Sequence, residues 1–165
     1  MKVYVVRHAE AEERRPGRRD DERELTGEGR AEFEQVVSGL AALGVRLDKI
    51  FTSPLIRARQ TAEILARGLP GPVPTEIEAL APGGAFEGVF KALREAGSDL
   101  AIALVGHEPS LGALVSVATA GVPSEGTPLK KGGIACLRFP GEPRVKGAIL
   151  AWLLTPKQLR RLGKS

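Results

Sequence analysis

Short apolar runs alternate with segments of helical periodicity along most of this chain, and that alternation most constrains its fold. Residues 2–6, 49–52 and 100–105 are rich in β-branched or aliphatic side chains and are bounded by turns, which is typical of buried strands. A helical pattern follows each of these runs. The alternation predicts a three-layer αβα sandwich around a mostly parallel, mixed sheet, an α/β fold in which residues 1–165 form a single domain.

Capping residues place the helices between these strands. Thr26 is expected to cap a helix that ends at Gly44, where a glycine can adopt the left-handed conformation. Ser53 and Pro54 are expected to begin the next helix, which runs to about Gly68. The remaining elements are expected to be a third strand at 75–80, helices at 87–95, 111–120 and 156–162, and two more antiparallel strands at 134–139 and 145–154.

Composition narrows the classes of partner and location. A formal net charge of +4 suits anionic substrates, whereas 4% aromatic residues supply no stacking platform for nucleic acid, so no nucleic-acid partner is expected. No apolar run is long enough to cross a bilayer or to act as a signal peptide, so we expect no membrane association. The single cysteine, Cys136, is expected to lie in the core, and one unpaired cysteine agrees with a cytoplasmic protein. A monomer is favoured, although the sequence leaves the oligomeric state open.

The two histidines of the chain each come directly after a predicted strand. His8 follows the first strand, next to Arg7, and His107 follows the strand near residue 105. Arg57 lies one turn into the helix after the second strand. Because ligands bind at the carboxyl ends of parallel strands, we expect these four side chains to converge there. Guanidinium and imidazole groups in one pocket suit a dianionic tetrahedral group such as phosphate.

Four segments resemble the signatures of the histidine phosphatase superfamily, in the order in which that family carries them. They are residues 7–10 (RHAE), 25–29 (LTGEG), 53–62 (SPLIRARQTA) and 105–108 (VGHE), within a match that spans residues 3 to about 120. The short chain and residues 80–84 (LAPGG) look most like the phosphohistidine phosphatase branch, the SixA type. The resemblance implies that His8 attacks phosphorus and is itself phosphorylated, and that water then hydrolyses this intermediate. It implies that Arg7, Arg57 and His107 hold the phosphate oxygens, without a metal or cofactor.

The sequence departs from its relatives at the expected proton donor. Many members of the superfamily place an acid after the third strand, and the corresponding residues here, 79–84, contain none. Glu78 and Glu87 flank this segment, and either could substitute, although a solvated surface role is favoured for both. An oxygen ester leaves poorly without a proton, whereas the nitrogen of phosphohistidine can be protonated from solvent. The missing acid therefore favours a phosphoramidate substrate. Ala11 is a second departure, because mutase-like relatives carry Ser or Thr there.

Three functions are consistent with these residues. The leading prediction is a metal-independent phosphatase that acts on phosphohistidine in a protein partner, such as a phosphotransfer domain, and it predicts a shallow, open pocket. A small-molecule phosphomonoesterase would instead have a walled pocket and an acid near the leaving oxygen. A phosphate-binding module without turnover is the third. The basic residues 14–19 border the site and are interpreted as a solvated loop or as a docking surface for an acidic phosphoprotein.

Overall fold

The chain forms a six-stranded sheet covered by helices, in a computed structural model that describes residues 1–164. The strands are β1 (Lys2–Arg7), β2 (Lys49–Thr52), β3 (Thr75–Glu76), β4 (Ala101–Gly106), β5 (Ile134–Arg138) and β6 (Ile149–Leu154). The helices are α1 (Gly27–Ala42), α2 (Ile56–Gly68), α3 (Phe86–Ala96), α4 (Ser110–Ala120) and α5 (Pro156–Leu162). Two short 3-10 turns, Asp20–Glu22 and Glu78–Leu80, lie in the connections.

The sheet is mixed and mostly parallel, as the sequence predicts. Its strand order is β3-β2-β4-β1-β5-β6. The first four strands in this order run parallel to one another, whereas β5 is antiparallel to β1 and β6 is antiparallel to β5. The two central strands, β1 and β4, are paired along their whole length, so the residues that follow them leave the sheet side by side.

Helices cover both faces of the sheet and enclose two hydrophobic cores, which confirms the three-layer sandwich. On β1, Tyr4 and Val6 face one core, and Val3 and Val5 face the other. The first core is closed by buried residues of α1, α2 and α5, and the second by buried residues of α3 and α4. None of the helices within residues 1–164 is long and apolar enough to cross a membrane.

The predicted helices form with small differences at their starts. Thr26 caps α1, and its hydroxyl oxygen accepts a hydrogen bond from the backbone N–H of Gly29 at 2.9 Å. Gly44 follows this helix with φ of +71°, in the left-handed region that favours glycine. The helix expected to begin at Ser53 and Pro54 begins instead at Ile56. Ser53 does not cap it, because its hydroxyl is engaged within the loop and, as described below, by His107.

Two strands are shorter than the sequence pattern predicts, because their neighbours end first. Strand β3 stops at Glu76, which pairs with Thr52, the last residue of β2. The chain beyond it therefore turns into the 3-10 segment. Similarly, β6 begins only at Ile149, which pairs with Arg138 at the end of β5. Residues 145–148 have no strand partner, so they remain outside the sheet.

The expected position of Cys136 in the core is confirmed. Cys136 lies on β5 with 4% of its surface exposed, and burial raises the pKa of its thiol, which keeps it protonated. Trp152 lies on the neighbouring strand β6 and packs against Tyr4, with the ring centroids 6.0 Å apart. Neither side chain takes part in the site described next.

Candidate active site

The two histidines come together because they leave neighbouring strands at the same level. Arg7 pairs with Gly106 at the ends of β1 and β4, so His8 and His107 are the next residues of each strand. The backbone N–H of His8 still donates to the carbonyl of Gly106 at 3.0 Å. Both side chains are buried, with 6% and 3% of their surfaces exposed, and their ring centroids lie 5.2 Å apart.

Arg57 joins the histidines from the first turn of α2. The strand before this helix, β2, lies beside β4, which delivers the helix to the same edge of the sheet. Arg57 is 3% exposed, and its Nε donates to Nε2 of His8 at 3.3 Å. Its terminal nitrogens bind Asp20: Nη1 donates to the backbone carbonyl at 2.7 Å, and Nη2 donates to the Oδ2 atom at 3.0 Å. The charged loop at 9–24 therefore reaches the site through Asp20, a contact that the sequence does not predict.

Two buried nitrogen atoms at this edge have no hydrogen-bond partner. Arg7 donates from Nη1 to the carbonyl of Leu129 at 2.8 Å, which fixes its guanidinium group, but its Nε is unpaired. The second unpaired atom is Nδ1 of His107. Within residues 1–164 these are the two buried side-chain polar atoms without a partner. Because buried polar groups are normally hydrogen-bonded, two such nitrogens in one site are suited to the oxygens of an anion.

His8 is held in a single tautomer. Its Nδ1 lies 2.7 Å from the carbonyl oxygen of Ala9, which can only accept, so Nδ1 carries the proton and Nε2 keeps its lone pair. Burial lowers the pKa of His8 to about 4, with Arg57, Arg7 and Lys131 adding to the effect and the bond to Ala9 opposing it. The imidazole is therefore neutral near pH 7, which is the state that a nucleophile requires.

His107 is neutral for similar reasons. Burial, together with the neighbouring His8 and Arg57, lowers its pKa to about 3. Its Nε2 lies 2.8 Å from the hydroxyl oxygen of Ser53, and the same oxygen accepts a hydrogen bond from the backbone N–H of Leu55. Ser53 therefore orients His107 as well as shaping the loop before α2. The sequence predicts a helix cap at Ser53 and does not predict this contact.

The low pKa values of the two histidines predict a loss of stability on mild acidification. In the unfolded chain each imidazole titrates near 6.5, whereas in the folded protein the values are about 4 and about 3. Below pH 6.5 the unfolded chain therefore binds more protons, and the free energy of unfolding should fall by about 2 kcal/mol per histidine between pH 7 and pH 5. Denaturant unfolding at the two pH values measures this fall. In the His8→Asn variant the free energy of unfolding should fall by about half as much as in the wild type. Equal falls in the two proteins would contradict the lowered pKa of His8.

The remaining signature residues support the loop after His8. The backbone N–H of Ala9 donates to the hydroxyl of Thr61 at 3.1 Å, and that hydroxyl donates to the carbonyl of Arg57 at 2.7 Å. On the other side, a Cβ added to Gly29 would lie 2.2 Å from the carbonyl oxygen of Glu10. Only glycine permits this close approach between the start of α1 and the loop. Segments 25–29 and 53–62 thus fix the backbone that carries His8.

The structure brings neither predicted proton donor into the cluster. Glu78 is exposed on its 3-10 turn, and Glu87 is exposed on α3, where it forms an ion pair with Arg94. Nothing within residues 1–164 joins either carboxylate by a hydrogen bond to the cluster. Residues 79–84, which correspond to the segment that carries the acid in relatives, do lie against the end of β4, next to His107. A Cβ added to Gly106 would be 3.3 Å from the carbonyl oxygen of Leu80. Ala11, the second departure, is buried and bridges Leu25.

Three of the four arginines of the segment 14–19 are paired with carboxylates of their own loop. Arg14 contacts Asp20 at 3.1 Å, Arg18 contacts Glu12 at 2.7 Å, and Arg19 contacts Asp21 at 2.6 Å. These pairs offset the positive charge that made the segment a candidate docking surface for an acidic protein. The geometry supports instead a self-paired loop that borders the site.

Fold and site together define an α/β protein in which two histidines and two arginines converge at one edge of the sheet, in an arrangement suited to an anion. A family model described as histidine phosphatase superfamily (branch 1) matches residues 3–81. A protein of Picosynechococcus sp. is 39% identical over 165 residues, which covers 96% of this chain and 99% of that protein. The chain belongs to the histidine phosphatase superfamily, as the signature segments predict.

Solved structures agree with this assignment. The protein histidine phosphatase SixA, complexed with tungstate, superposes with a TM-score of 0.84 at 24% identity, covering 96% of this chain and 99% of that one. A candidate phosphohistidine phosphatase SixA from Agrobacterium tumefaciens gives a TM-score of 0.73 at 28% identity, covering 94% and 98%. The fold is of the SixA type, and phosphatase chemistry is the function that these comparisons support.

Proposed function

We propose that this protein is a phosphatase in which His8 is the nucleophile. The observation that carries the proposal is the fixed tautomer of His8, with Nδ1 bound to the carbonyl of Ala9 and the Nε2 lone pair beside the Nε–H of Arg57 at 3.3 Å. The lone pair of Nε2 forms a bond to phosphorus while the bond from phosphorus to the leaving atom breaks. A water molecule then attacks phosphorus, the electron pair of the N–P bond returns to Nε2, and inorganic phosphate leaves with a proton released to solvent.

The flanking N–H groups stabilise the charge on the transferred group. Arg57 and Arg7 provide Nε–H donors, and the Nε–H of Arg7 is buried and otherwise unpaired. In our proposal the hydroxyl of Ser53 donates to Nε2 of His107, so the proton of that ring lies on Nδ1, the other unpaired nitrogen. Phosphoryl transfer depends chiefly on such positioned donors. A bound dianion would also favour protonation of His107, against the effects that lower its pKa in the free protein.

We further propose that the reaction uses no metal ion. The guanidinium and imidazole groups described above supply the charge stabilisation that a cation supplies in other phosphoryl-transfer enzymes. In the part of the chain that the structure describes, no three His, Cys, Asp or Glu side chains are grouped so that they could hold a metal.

The substrate that we propose is phosphohistidine presented by a protein. Neither Glu78 nor Glu87 is bonded to the cluster, and the segment at 79–84, which backs onto the end of β4, contains no acid. A nitrogen leaving group, which solvent can protonate, fits such a site better than the oxygen of an alkyl ester. The structural similarity to SixA, a protein histidine phosphatase, supports the same choice.

One observation favours a second candidate, a small-molecule phosphomonoesterase. The 3-10 turn Asp20–Glu22 lies against Arg57 through two hydrogen bonds, so it walls one side of the site. A walled site restricts the approach of a large protein more than that of a small molecule. The two candidates therefore differ in the size of the leaving group that the site accepts.

A side-by-side assay separates these candidates. Purified protein with a chelator present is offered a phosphohistidine-containing protein and a panel of phosphate monoesters that includes a sugar phosphate and phosphoglycerate. We expect kcat/KM to be at least about 100-fold higher for phosphohistidine than for alkyl monoesters, because acid catalysis of the leaving group contributes about that factor. A preference for a sugar phosphate or phosphoglycerate would reject the substrate assignment. Activity that requires an added divalent cation would reject the metal-free mechanism.

A further inference from the structure

Asp20 makes the most direct contact between the charged loop and the proposed phosphate site. It lies in the 3-10 turn Asp20–Glu22, where its side chain is 35% exposed. The Oδ2 atom accepts from Nη2 of Arg57 at 3.0 Å, and the backbone carbonyl of the same residue accepts from Nη1 at 2.7 Å. One residue therefore binds both terminal nitrogens of a buried guanidinium group.

The carboxylate of Asp20 is itself held from the opposite side. Its Oδ1 atom accepts from Nε and Nη2 of Arg23 at 3.0 and 2.9 Å, and from Nε of Arg14 at 3.1 Å. Arg23 is further anchored, because its Nη1 donates to the carbonyl of Glu12 at 2.7 Å. Asp20 is thus a fixed group between the loop and Arg57. Burial works to raise the pKa of Asp20, but Arg57 and Arg23 outweigh it and lower the pKa, so the group is ionised and unsuited to donate a proton.

The geometry of the guanidinium group separates this contact from the phosphate site. A guanidinium offers one pair of N–H groups from Nη1 and Nη2 and another pair from Nε and Nη2, on adjacent edges of its plane. Asp20 takes the first pair, whereas the Nε–H faces Nε2 of His8 at 3.3 Å. A phosphoryl group bonded to His8 meets the second edge, so Asp20 and phosphate use different edges of Arg57.

We propose that Asp20 is a positioning residue, which holds the terminal nitrogens of Arg57 so that the Nε edge faces the phosphoryl group on His8. This inference rests on the proposed function. Without the Asp20 carboxylate the guanidinium keeps its charge and its bond to the backbone carbonyl of residue 20, but it loses the bond from Nη2 to Oδ2, the second of the two bonds that fix its plane. Misplacement of a catalytic donor by about 1 Å can cost up to about 100-fold in rate. Loss of one negative charge near the site does not weaken the binding of an anionic substrate, so the effect should lie in kcat and not in KM.

The test compares Asp20→Ala with Asp21→Ala, a matched change in the same turn. Asp21 pairs with Arg19 at 2.6 Å, and no hydrogen bond joins it to Arg57 within the described residues. With para-nitrophenyl phosphate as the probe, Asp20→Ala should lower kcat about 10- to 100-fold without raising KM, and Asp21→Ala should change neither more than about twofold. Asp20→Asn, which keeps an acceptor oxygen, should recover most of the loss. An equal loss in Asp21→Ala would assign the effect to folding of the loop and overturn the proposal.

A double-mutant cycle shows whether Asp20 acts through Arg57. In the Arg57→Ala background, Asp20→Ala should lower kcat by less than about twofold, because the group that it positions is gone. An undiminished loss there, or a kcat/KM of Asp20→Ala at or above the wild-type value, would overturn the proposal. If Asp20→Ala does not fold, Asp20→Ser replaces it in the same double-mutant cycle, since serine is also favoured in turns. Turnover that survives His8→Ala would refute the proposed function itself, whereas an inactive His8→Ala beside a fully active Asp20→Ala would refute only the role of Asp20.

Discussion

Replacement of His8 by Ala is expected to lower kcat/KM by at least about 10⁴-fold with any phosphorylated substrate, because it removes the atom that receives the phosphoryl group. The three remaining donors of the cluster stay in place. Arg57 keeps its bonds to Asp20, and Arg7 keeps its bond to Leu129. Steady-state kinetics with a phosphohistidine protein and with para-nitrophenyl phosphate measure the loss.

The same variant separates catalysis from binding. We expect His8→Ala to retain affinity for inorganic phosphate within about tenfold, because the flanking donors and not the nucleophile carry most of the binding. Equilibrium binding of phosphate to the variant measures this. His8→Asn serves as a second variant that fills more of the vacated volume. Turnover near the wild-type rate in either variant would contradict the assignment of His8.

Replacement of Arg57 by Ala carries the second-largest expected effect. Arg57 is the buried guanidinium group whose Nε lies 3.3 Å from Nε2 of His8, where charge develops as the phosphoryl group is transferred. Loss of one positioned donor of this kind costs about 10²- to 10³-fold in kcat. Arg57→Lys keeps the charge but not the planar fork, so we expect it to recover only part of the loss. Steady-state kinetics of the wild type, Arg57→Ala and Arg57→Lys at one pH measure these differences in kcat.

The fold should tolerate the loss of Arg57, which keeps the prediction interpretable. Asp20 retains Arg23 and Arg14 as partners, so no carboxylate is left without a counter-ion. Arg59→Ala is the matched control, because Arg59 lies on the same helix with 45% of its side chain exposed and pairs only with Glu76 among the described contacts. Full activity in Arg57→Ala, or an equal loss of activity in Arg59→Ala, would contradict the assignment of Arg57 to the site.

Much of this arrangement can be predicted from the sequence, since it depends on local patterns and on the topology of the sheet. A β-branched run that ends at Arg7 and an aliphatic run that ends at Gly106 predict two buried parallel strands. Parallel strands end at one edge, and that rule alone brings His8 and His107 together. The order of the signature segments then predicts the family.

The contacts that position these groups could not be predicted in the same way. Asp20 stands in a run of charged residues in which nothing in the sequence distinguishes it from Asp21, and its contact with Arg57 spans 37 positions of the chain. Serine before proline predicts a helix cap at Ser53. Its contact with His107 spans 54 positions. Side-chain contacts over such separations depend on tertiary packing and not on local pattern.

Several expectations from the sequence are still predictions. They are the single domain across residues 1–165, the cytoplasmic location, the monomeric state and the lack of nucleic-acid partners. The roles of His8, Arg7, Arg57 and His107 are proposals of the same kind, supported by the convergence of the four side chains at one sheet edge. Of the proposed proton donors, Glu87 is the less suited, because its ion pair with Arg94 holds it on the surface of α3.

Trapping of the phosphorylated protein tests the central claim most directly. The protein is mixed with substrate that carries a radiolabelled phosphoryl group, and turnover is quenched within milliseconds in base. The phosphorus–nitrogen bond of phosphohistidine survives in base, whereas acid hydrolyses it and releases the label. We predict up to one phosphate per chain, on the peptide that contains His8, and none on His8→Ala. Label that survives acid, label on another residue, or turnover without a labelled protein at any quench time would contradict a mechanism that passes through phosphorylated His8.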